Sequence, residues 1–379
     1  MRIIQSLAVP ILTSLFSDAV AQSPKRDTLP APTATIGKAF TRVGSVRSLS
    51  DGRALVLDVG DRSLFLVDWM KGTAVQVGRE GKGPAEYTNP TALIALPNDS
   101  TLIIDAGLGR WLLMHEARIV GTVTADAPAL RAGARAPFAG DDAGMLYEIR
   151  GANPAQTFGG NATVSTGGPA KADSAWLLRV TRKSGRVDSI VRVQLRPSRV
   201  AMSMGSDGTS SFRVEINPLA VGEQAALAHD GTIAIARLNP YRVDWLRRGG
   251  TRLLGKPLPF ERVTVSDREK LAALTRLAES QGRARKEPTA VPDWPGTMPP
   301  FLAGSVLIAS DGTAWIRRTP LAGNSESTYD IISSRDQLVG RVRMKPQEVV
   351  VGFNGPHLFS VIIDDDGLQH LRRHPMPRH

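Results

Sequence analysis

A short turn motif recurs six times along this chain and constrains the fold more than any other feature. Each copy places Asp or Asn next to Gly or another turn-forming residue, and a run of β-forming residues follows. Self-similarity at a roughly constant spacing indicates an array of small structural units. The six turns are Asp51-Gly52, Asn98-Asp99-Ser100, Asp141-Asp142, Asp230-Gly231, Asp311-Gly312 and Asn354-Gly355.

The intervals between successive turns are 48, 43, 88, 81 and 44 residues. One β-propeller blade of four strands occupies about 40–50 residues, so three intervals fit one blade each. Insertions explain the two long intervals better than extra blades, because an anchor at Asp207 leaves only 23 residues before the next turn. The pattern therefore predicts an all-β, six-bladed propeller. Its units are expected at about 46–90, 91–132, 133–218, 219–299, 300–345 and 346–376.

The run Lys38–Val43 precedes the first unit and predicts a closing strand. If it adds the outer strand to the last unit, it covers a sheet edge that would otherwise stay exposed. The propeller domain is then expected to span 36–376, with 377–379 as a tail.

One convincing helix is predicted, inside the longer insertion at about 266–299. Ser266 and Glu269 form an S-x-x-E capping box, and Pro288 ends a helix expected over 267–286. An apolar face is expected from Leu271, Leu274, Leu277 and Ala278. This amphipathic pattern suits a structural cap over the domain, and a lid over a binding site is the alternative.

The N-terminus has the pattern of a secretory signal. Met1-Arg2 is followed by a mostly apolar run to Phe16, and Ala19-Val20-Ala21 supplies a cleavage pattern before Gln22. A membrane anchor would need about 20 apolar residues, which this run does not reach. We expect a signal peptide at 1–21, a flexible Pro-rich leader at 22–35, and a secreted or periplasmic protein with no transmembrane segment.

The chain of 379 residues has 47 Lys and Arg against 36 Asp and Glu, for a net charge of +11, and it has no Cys. The basic residues are dispersed, apart from Arg283-Ala284-Arg285-Lys286. The aromatic signatures of RNA-binding modules are missing, so nucleic acid is not an expected partner. The dispersed charge indicates a solvated surface, and attraction to anionic envelope polymers or lipids is the alternative.

One junction carries a more specific motif, Val77-Gly78-Arg79-Glu80-Gly81-Lys82-Gly83-Pro84-Ala85-Glu86-Tyr87. It resembles the NHL-type repeat, in which a G-x-x-G-x-G-P-G-E/Q-F element ends one blade, and it looks like that of exported six-bladed propellers. Ala85 stands where that family usually has Gly, and Tyr87 where it has Phe. The expected structural residues are Gly78, Gly81, Gly83, Pro84, Glu86 and Tyr87, the glycines permitting positive φ and Tyr87 packing between blades.

Several six-bladed propellers are enzymes with a metal in the central channel, a site that needs converging Asp, Asn, Glu or His side chains. The six His residues are scattered, with His370, His374 and His379 in the basic tail and His115, His229 and His357 isolated. Asp364-Asp365-Asp366-Gly367 lacks EF-hand spacing and indicates a hairpin turn. Asp58, Asp68 and Asp105 are expected to bind turn amides. We therefore assign no catalytic residue, metal or cofactor.

The first residues to inspect for binding are Tyr241, Arg242, Asp244 and Trp245. The competing interpretation is an ordinary strand with both rings packed between blades. The preferred function is an exported, non-enzymatic binding or scaffold protein for a protein, envelope polymer or carbohydrate. The alternative is a lactonase-like propeller hydrolase or lyase with a channel metal. A carbohydrate binder would expose Trp and Tyr rings in its groove.

Overall fold

The computed structural model describes residues 26–123, 127, 136–151, 162–166, 174–204, 210–215, 217–280, 293–335 and 338–377. The expected signal peptide and the basic cluster at 283–286 lie outside these ranges. In chain order, the elements are β1 (Arg26–Thr28), β2 (Ala34–Phe40), β3 (Val43–Ser48), β4 (Ala54–Asp58), β5 (Ser63–Asp68), β6 (Thr73–Val77), β7 (Pro90–Ala95), β8 (Ser100–Asp105), β9 (Arg110–His115), β10 (Arg118–Val123), β11 (Ala139–Gly140), β12 (Met145–Gly151), β13 (Ala162–Thr166), β14 (Ser174–Thr181), β15 (Val187–Gln194), β16 (Arg196–Met204), β17 (Ser210–Glu215), β18 (Gln224–Leu227), β19 (Ile233–Leu238), β20 (Tyr241–Leu246), β21 (Arg252–Leu253), α1 (Asp267–Ser280), β22 (Phe301–Ile308), β23 (Ala314–Arg318), β24 (Glu326–Ile332), β25 (Leu338–Pro346), β26 (Glu348–Asn354), β27 (His357–Ile363) and β28 (Gln369–Pro375).

Six antiparallel sheets form the blades of a propeller, as the turn spacing predicts. The first strands of the blades contact one another in the order β26, β3, β7, β11, β18 and β22, so these strands form the inner ring of the propeller. The protein is therefore a nearly all-β, six-bladed propeller with one helix in its described part. The blades are β3–β6, β7–β10, β11-β12-β14-β15, β18–β21, β22–β25, and β26–β28 with β2.

The recurring turns all join the first and second strands of their blades. Gly52, Gly231 and Gly312 have φ of 85°, 81° and 79°, a region that glycine adopts without strain. Each donates its N–H to the carbonyl three residues earlier, at 3.1, 3.0 and 2.9 Å. Because neighbouring strands are antiparallel, these turns share one end of the ring, which we name the turn face. The second-to-third-strand loops and the inter-blade connections share the other end, the connection face.

The core is divided among the blade interfaces, with one apolar cluster in each of the six. All four tyrosines of the chain lie in these clusters. Burial raises the pKa of each phenol, and that of Tyr147 rises to about 12. The tyrosines pack as interface residues: Tyr87 between blades 1 and 2, Tyr147 between blades 3 and 4, Tyr241 between blades 4 and 5, and Tyr329 between blades 5 and 6.

The N-terminal strand closes the ring, as predicted. β2 pairs antiparallel with β28 as the outer strand of blade 6, with Phe40 opposite Gln369. The strand covers 34–40, slightly earlier than the expected 38–43. The structure also differs from the expected flexible leader, because residues 26–28 form β1, a parallel strand on the outer edge of β25. That pairing satisfies backbone groups of an edge that the sequence pattern leaves open.

Both long intervals contain insertions. The first holds a three-stranded sheet of β13, β16 and β17, where the sequence indicates only loops. The second holds α1, whose described part ends at Ser280. The predicted apolar face of α1 is wrong in part, because Leu271 is 44% exposed while Ala273 is buried. The helix docks through this small residue, which lets its backbone approach the support closely.

Candidate functional site

Helix α1 is fixed to the connection face through Glu269. The predicted cap forms in one direction, with the Glu269 N–H donating to Ser266 Oγ at 3.4 Å. The buried Glu269 carboxylate accepts the Ala322 N–H instead, at 2.9 and 3.1 Å. Ala322 lies in the loop between β23 and β24, so this contact clamps the helix onto blade 5.

The rest of the insertion rests on its own small core. Ala273 packs with Leu219 and Met298, and Leu219 belongs to the connection between blades 3 and 4. The Met298 N–H donates to the Val263 carbonyl at 2.7 Å, which closes the two arms of the insertion against each other. The insertion is therefore supported at both ends by the propeller.

A cavity of about 270 Å³ lies between the insertion and blade 5, and we name it the insertion groove. Its insertion wall is mostly apolar, and its blade 5 wall is mostly polar. The insertion wall comprises Phe260, Glu261, Val263, Met298, Pro299 and Pro300. The blade 5 wall comprises Arg318, Thr319, Pro320, Leu321, Asn324, Glu326, Thr328, Arg341 and Arg343.

The blade 5 wall is organised around a buried carboxylate. Asp330 accepts from Arg341 Nε at 2.7 Å and from the Tyr241 hydroxyl at 3.1 Å. Burial raises the pKa of Tyr241 well above its ordinary value, and the Asp330 charge raises it further, so the phenol stays a donor. Arg318 lies 4.0 Å from the same carboxylate. In this wall Arg318, Arg341 and Arg343 stand against Asp330 and Glu326, which leaves an excess of one positive charge.

Two features of the groove are available to a ligand. Arg343 is half exposed, and its ion pair with Glu326 is long, at 3.9 Å. Thr319 Oγ1 is buried and makes no hydrogen bond within the described residues. A buried hydroxyl without a partner costs free energy, about 1–3 kcal/mol. A ligand that supplied an acceptor would remove that cost.

The predicted binding residues 241–245 lie beside this groove but inside the blade. Tyr241 and Trp245 are buried between blades 4 and 5. Asp244 is fully buried and accepts from Arg237 Nε at 2.8 Å and Arg242 Nε at 2.9 Å. Although burial raises the pKa of Asp244, hydrogen bonds from Arg242 and Arg237 bring it below its ordinary value. The structure brings these residues together as packing and ion pairing, and a ligand role for them stays a prediction.

The glycine motif forms a closed loop between blades 1 and 2. Gly78 has a φ of 69°, and a Cβ there would lie 2.8 Å from the Tyr87 ring. The Glu86 carboxylate accepts the Gly83 N–H at 2.8 Å and fills the space beside Gly81, where a Cβ would meet it at 2.1 Å. Arg110 donates to the Gly83 carbonyl at 2.8 Å, just before Pro84. The space beside Gly78 and Gly81 is filled by the Tyr87 and Glu86 side chains of the same loop.

Sequence reasoning misplaced His374, which is 2% exposed in β28 rather than in a basic tail. Its Nε2 lies 2.9 Å from Ser360 Oγ, and Ser360 Oγ donates to Glu348 Oε1 at 2.8 Å. The His374 Nδ1 lies 2.8 Å from the Pro30 carbonyl, which ties blade 6 to the N-terminal segment. This Ser–His–Glu set resembles catalytic chemistry in composition, but Ser360 is fully buried, so the network holds strands together. The sequence carries no local signal for it, because the buried residues of β28, Leu371 and His374, are three apart and do not follow strand alternation.

Acidic side chains of the connection face bind backbone amides, as expected for Asp58 and Asp105. Asp58 accepts the Thr41 N–H at 2.7 Å and the Arg42 N–H at 2.9 Å. Asp105 accepts the Asn89 N–H at 2.9 Å. Asp68 likewise binds turn amides, and Asp364 forms the predicted hairpin turn. Within the described residues, no group of three or more His, Cys, Asp or Glu could hold a metal ion.

The histidines outside the tail, His115, His229 and His357, belong to three different blades. His115 and His229 are exposed. Burial lowers the pKa of His357, and the charge of Arg373 lowers it further. In the described part of the chain, no helix is long and apolar enough to cross a membrane.

The chain matches no family model and no curated protein. Similar solved structures include a DUF4221 family member from Bacteroides vulgatus, 8% identical with a TM-score of 0.46, over 92% of this chain and 98% of that one. A gluconolactonase from Xanthomonas campestris is 11% identical with a TM-score of 0.43, over 93% and 97%. The PQQ-bound aldose sugar dehydrogenase from Streptomyces coelicolor is 12% identical with a TM-score of 0.44, over 93% and 99%. At these identities and TM-scores the similarity concerns the overall fold and assigns no chemistry to this protein.

Proposed function

We propose that this protein is exported after cleavage near Ala21-Gln22 and acts as a non-enzymatic binding protein. Its insertion groove would hold an extended, acidic segment of a partner protein. The observation that supports this most is the pairing of an apolar wall with an arginine wall in one open cavity. Such a groove buries apolar side chains of a segment on one side and pairs its carboxylates on the other.

The groove composition favours a polypeptide over a carbohydrate. Met, Phe and Arg are enriched in protein interfaces, and the groove is lined by Met298, Phe260 and three arginines. No Trp or Tyr ring is among the described residues that line it. At about 270 Å³ the cavity is slightly below the roughly 300–1,000 Å³ of drug-sized ligand pockets. It suits a few side chains of a longer segment.

Peptide selection against the mature protein tests the proposal. Peptides recovered from a random library are expected to be acidic and to bind by calorimetry. The R343E variant reverses the most exposed charge of the groove and is expected to weaken binding about tenfold or more. R118E is the matched control, because Arg118 is exposed on blade 2, far from the insertion. Equal weakening by both variants would leave only non-specific attraction to a basic surface and would reject the groove.

The alternative of a propeller hydrolase or lyase with a channel metal has its own test. A metal bound only by the folded state raises stability by mass action. Thermal unfolding of the mature protein with and without EDTA, followed by addition of calcium or zinc, is expected to show no metal-specific shift. A drop with EDTA that one metal reverses would support the enzyme instead.

A further inference from the structure

A second cavity lies on the other side of blade 5 from the insertion groove. This inner cavity, of about 180 Å³, lies between blades 5 and 6. Ser305, Arg317 and Tyr329 contribute side chains from three strands of blade 5, and β26 of blade 6 contributes Val349 and Val350. The cavity is well below the roughly 300–1,000 Å³ of typical ligand pockets, so only a small group fits it.

The inner strand of blade 5 is interrupted where it borders this cavity. Phe301 pairs with Arg318 and Val306 pairs with Ile316, so residues 302–305 bulge opposite Arg317. Gly304, in the bulge, is exposed with a φ of 71°, and a Cβ there would meet nothing within 4 Å. Bulges interrupt strand pairing beside many functional sites. Here the bulge leaves an open approach to Arg317.

Hydrogen-bond donors in the cavity lack acceptors. Ser305 is 3% exposed, and its Oγ has no hydrogen-bond partner among the residues that the structure describes. Arg317 is partly buried, and its guanidinium forms no hydrogen bond or ion pair with the described residues. The Tyr329 hydroxyl is occupied, since it accepts the Val350 N–H at 2.9 Å. The free donors are therefore a guanidinium and a hydroxyl on the same wall.

Arg276, on helix α1, lies close enough to Arg317 for their charges to interact. Arg276 Nε and Nη2 are buried without a hydrogen-bond partner in the described part of the chain. Burial lowers the pKa of Arg276, and the nearby charge of Arg317 also lowers it, while the Glu269 and Glu279 charges raise it. At Arg276 the Glu269 and Glu279 charges outweigh the charge of Arg317, so Arg276 has counter-ions of its own. A bound anion would therefore compensate Arg317.

We propose that the inner cavity binds a small oxyanion, held by Arg317 and Ser305. The guanidinium fork of arginine matches carboxylate and phosphate oxygens in the same bidentate geometry. The ligand class is therefore a small carboxylate, phosphate or sulfate. This site is separate from the insertion groove and does not depend on the proposed partner protein.

Melting and calorimetry of the mature protein test the proposal with inorganic phosphate, sulfate and acetate, each against sodium chloride at matched ionic strength. At least one oxyanion is expected to raise the melting temperature beyond chloride. R317Q is expected to weaken its binding about tenfold or more, since a hydrogen bond to a charged group is lost. R276Q is expected to weaken it less. R118Q, on blade 2, is expected to leave it unchanged.

A second readout separates binding from structure. Without an oxyanion, R317Q is expected to melt at or above the wild-type temperature, because it removes a partly buried charge that has no counter-ion among the described residues. A merely structural arginine would lower the melting temperature when replaced. The proposal is overturned if no oxyanion acts beyond chloride, if R317Q binds as tightly as wild type, or if R317Q destabilises the oxyanion-free protein.

Discussion

Blades 1 and 2 end their second strands with aspartate, whereas blades 4 and 5 have arginine at the same position. Counted from the turn that precedes each strand, Asp58 and Asp105 correspond to Arg237 and Arg318. The aspartates bind amides of the chain entering their own blade, at 41–42 and 88–89. Arginine cannot accept a hydrogen bond. In blade 4 the arginine reaches the entering chain through the Glu223 carboxylate instead. The chains entering blades 4 and 5 contain insertions.

The arginines instead pair with an aspartate on the third strand. Arg237 Nε lies 2.8 Å from Asp244, and Arg318 Nη1 lies 4.0 Å from Asp330. These two aspartates are equivalent, because they face Ile235 and Ile316 at the same distance from their turns. Aspartate at this position of the repeat therefore closes the connection into its blade. Arginine forms an ion-paired wall, which in blade 5 lies beside an open connection. The groove and the closed glycine loop are two outcomes of the same topology.

The largest expected effect comes from removing a carboxylate that closes a connection. Asp58→Ala leaves the N–H groups of Thr41, Arg42, Gly60 and Asp61 without their buried acceptor. We expect the free energy of unfolding to fall by about 3 kcal/mol, measured by urea denaturation. Asp58→Asn keeps one acceptor oxygen and is expected to lose less. An alanine variant as stable as wild type would break the comparison.

A smaller effect is expected where a buried carboxylate binds side chains. Burial raises the pKa of Glu348, but hydrogen bonds from His374 and Ser360 bring it below its ordinary value. The ionised Glu348 side chain therefore stabilises the folded protein fully above its unfolded pKa of about 4.3. This stabilisation is lost as the pH falls through its lower, folded pKa. The free energy of unfolding of E348Q is expected to fall less steeply than that of wild type as the pH drops below about 5. Parallel pH profiles for the two proteins would contradict this.

The smallest effect is expected at the helix. Glu269→Ala removes the acceptor for the Ala322 N–H and is expected to cost about 1–2 kcal/mol. The loss concerns the attachment of α1 more than the ring. Hydrogen exchange should therefore accelerate in residues 267–280 while β23 keeps its protection. Glu279→Ala is the control, because Glu279 is exposed on the same helix. Equal exchange in both variants would show that Glu269 is not the clamp.

The features that could be predicted from the sequence are those with local causes. Asp-Gly turns carry their own hydrogen bonds, so the repeat reveals blade number and order. The closing strand follows from an unpaired edge. His374 could not be placed, because its burial depends on Pro30, 344 residues away in sequence. The burial of Leu271 was predicted wrongly, because α1 contacts the rest of the protein through Ala273 and Glu269 instead. The Asp-to-Arg change is visible in the sequence once the turns are aligned, but its consequence for the site needs the fold.

Photo-crosslinking in an exporting host tests the central claim that the open connection of blade 5 is the binding face. A photoreactive residue replaces Leu321, which lines the insertion groove and is 38% exposed. The control replaces Val120, which is 55% exposed on blade 2. The account predicts a discrete adduct from position 321 that R343E abolishes, and none from position 120. Equal adducts from both positions, or an adduct that R343E leaves unchanged, would contradict it.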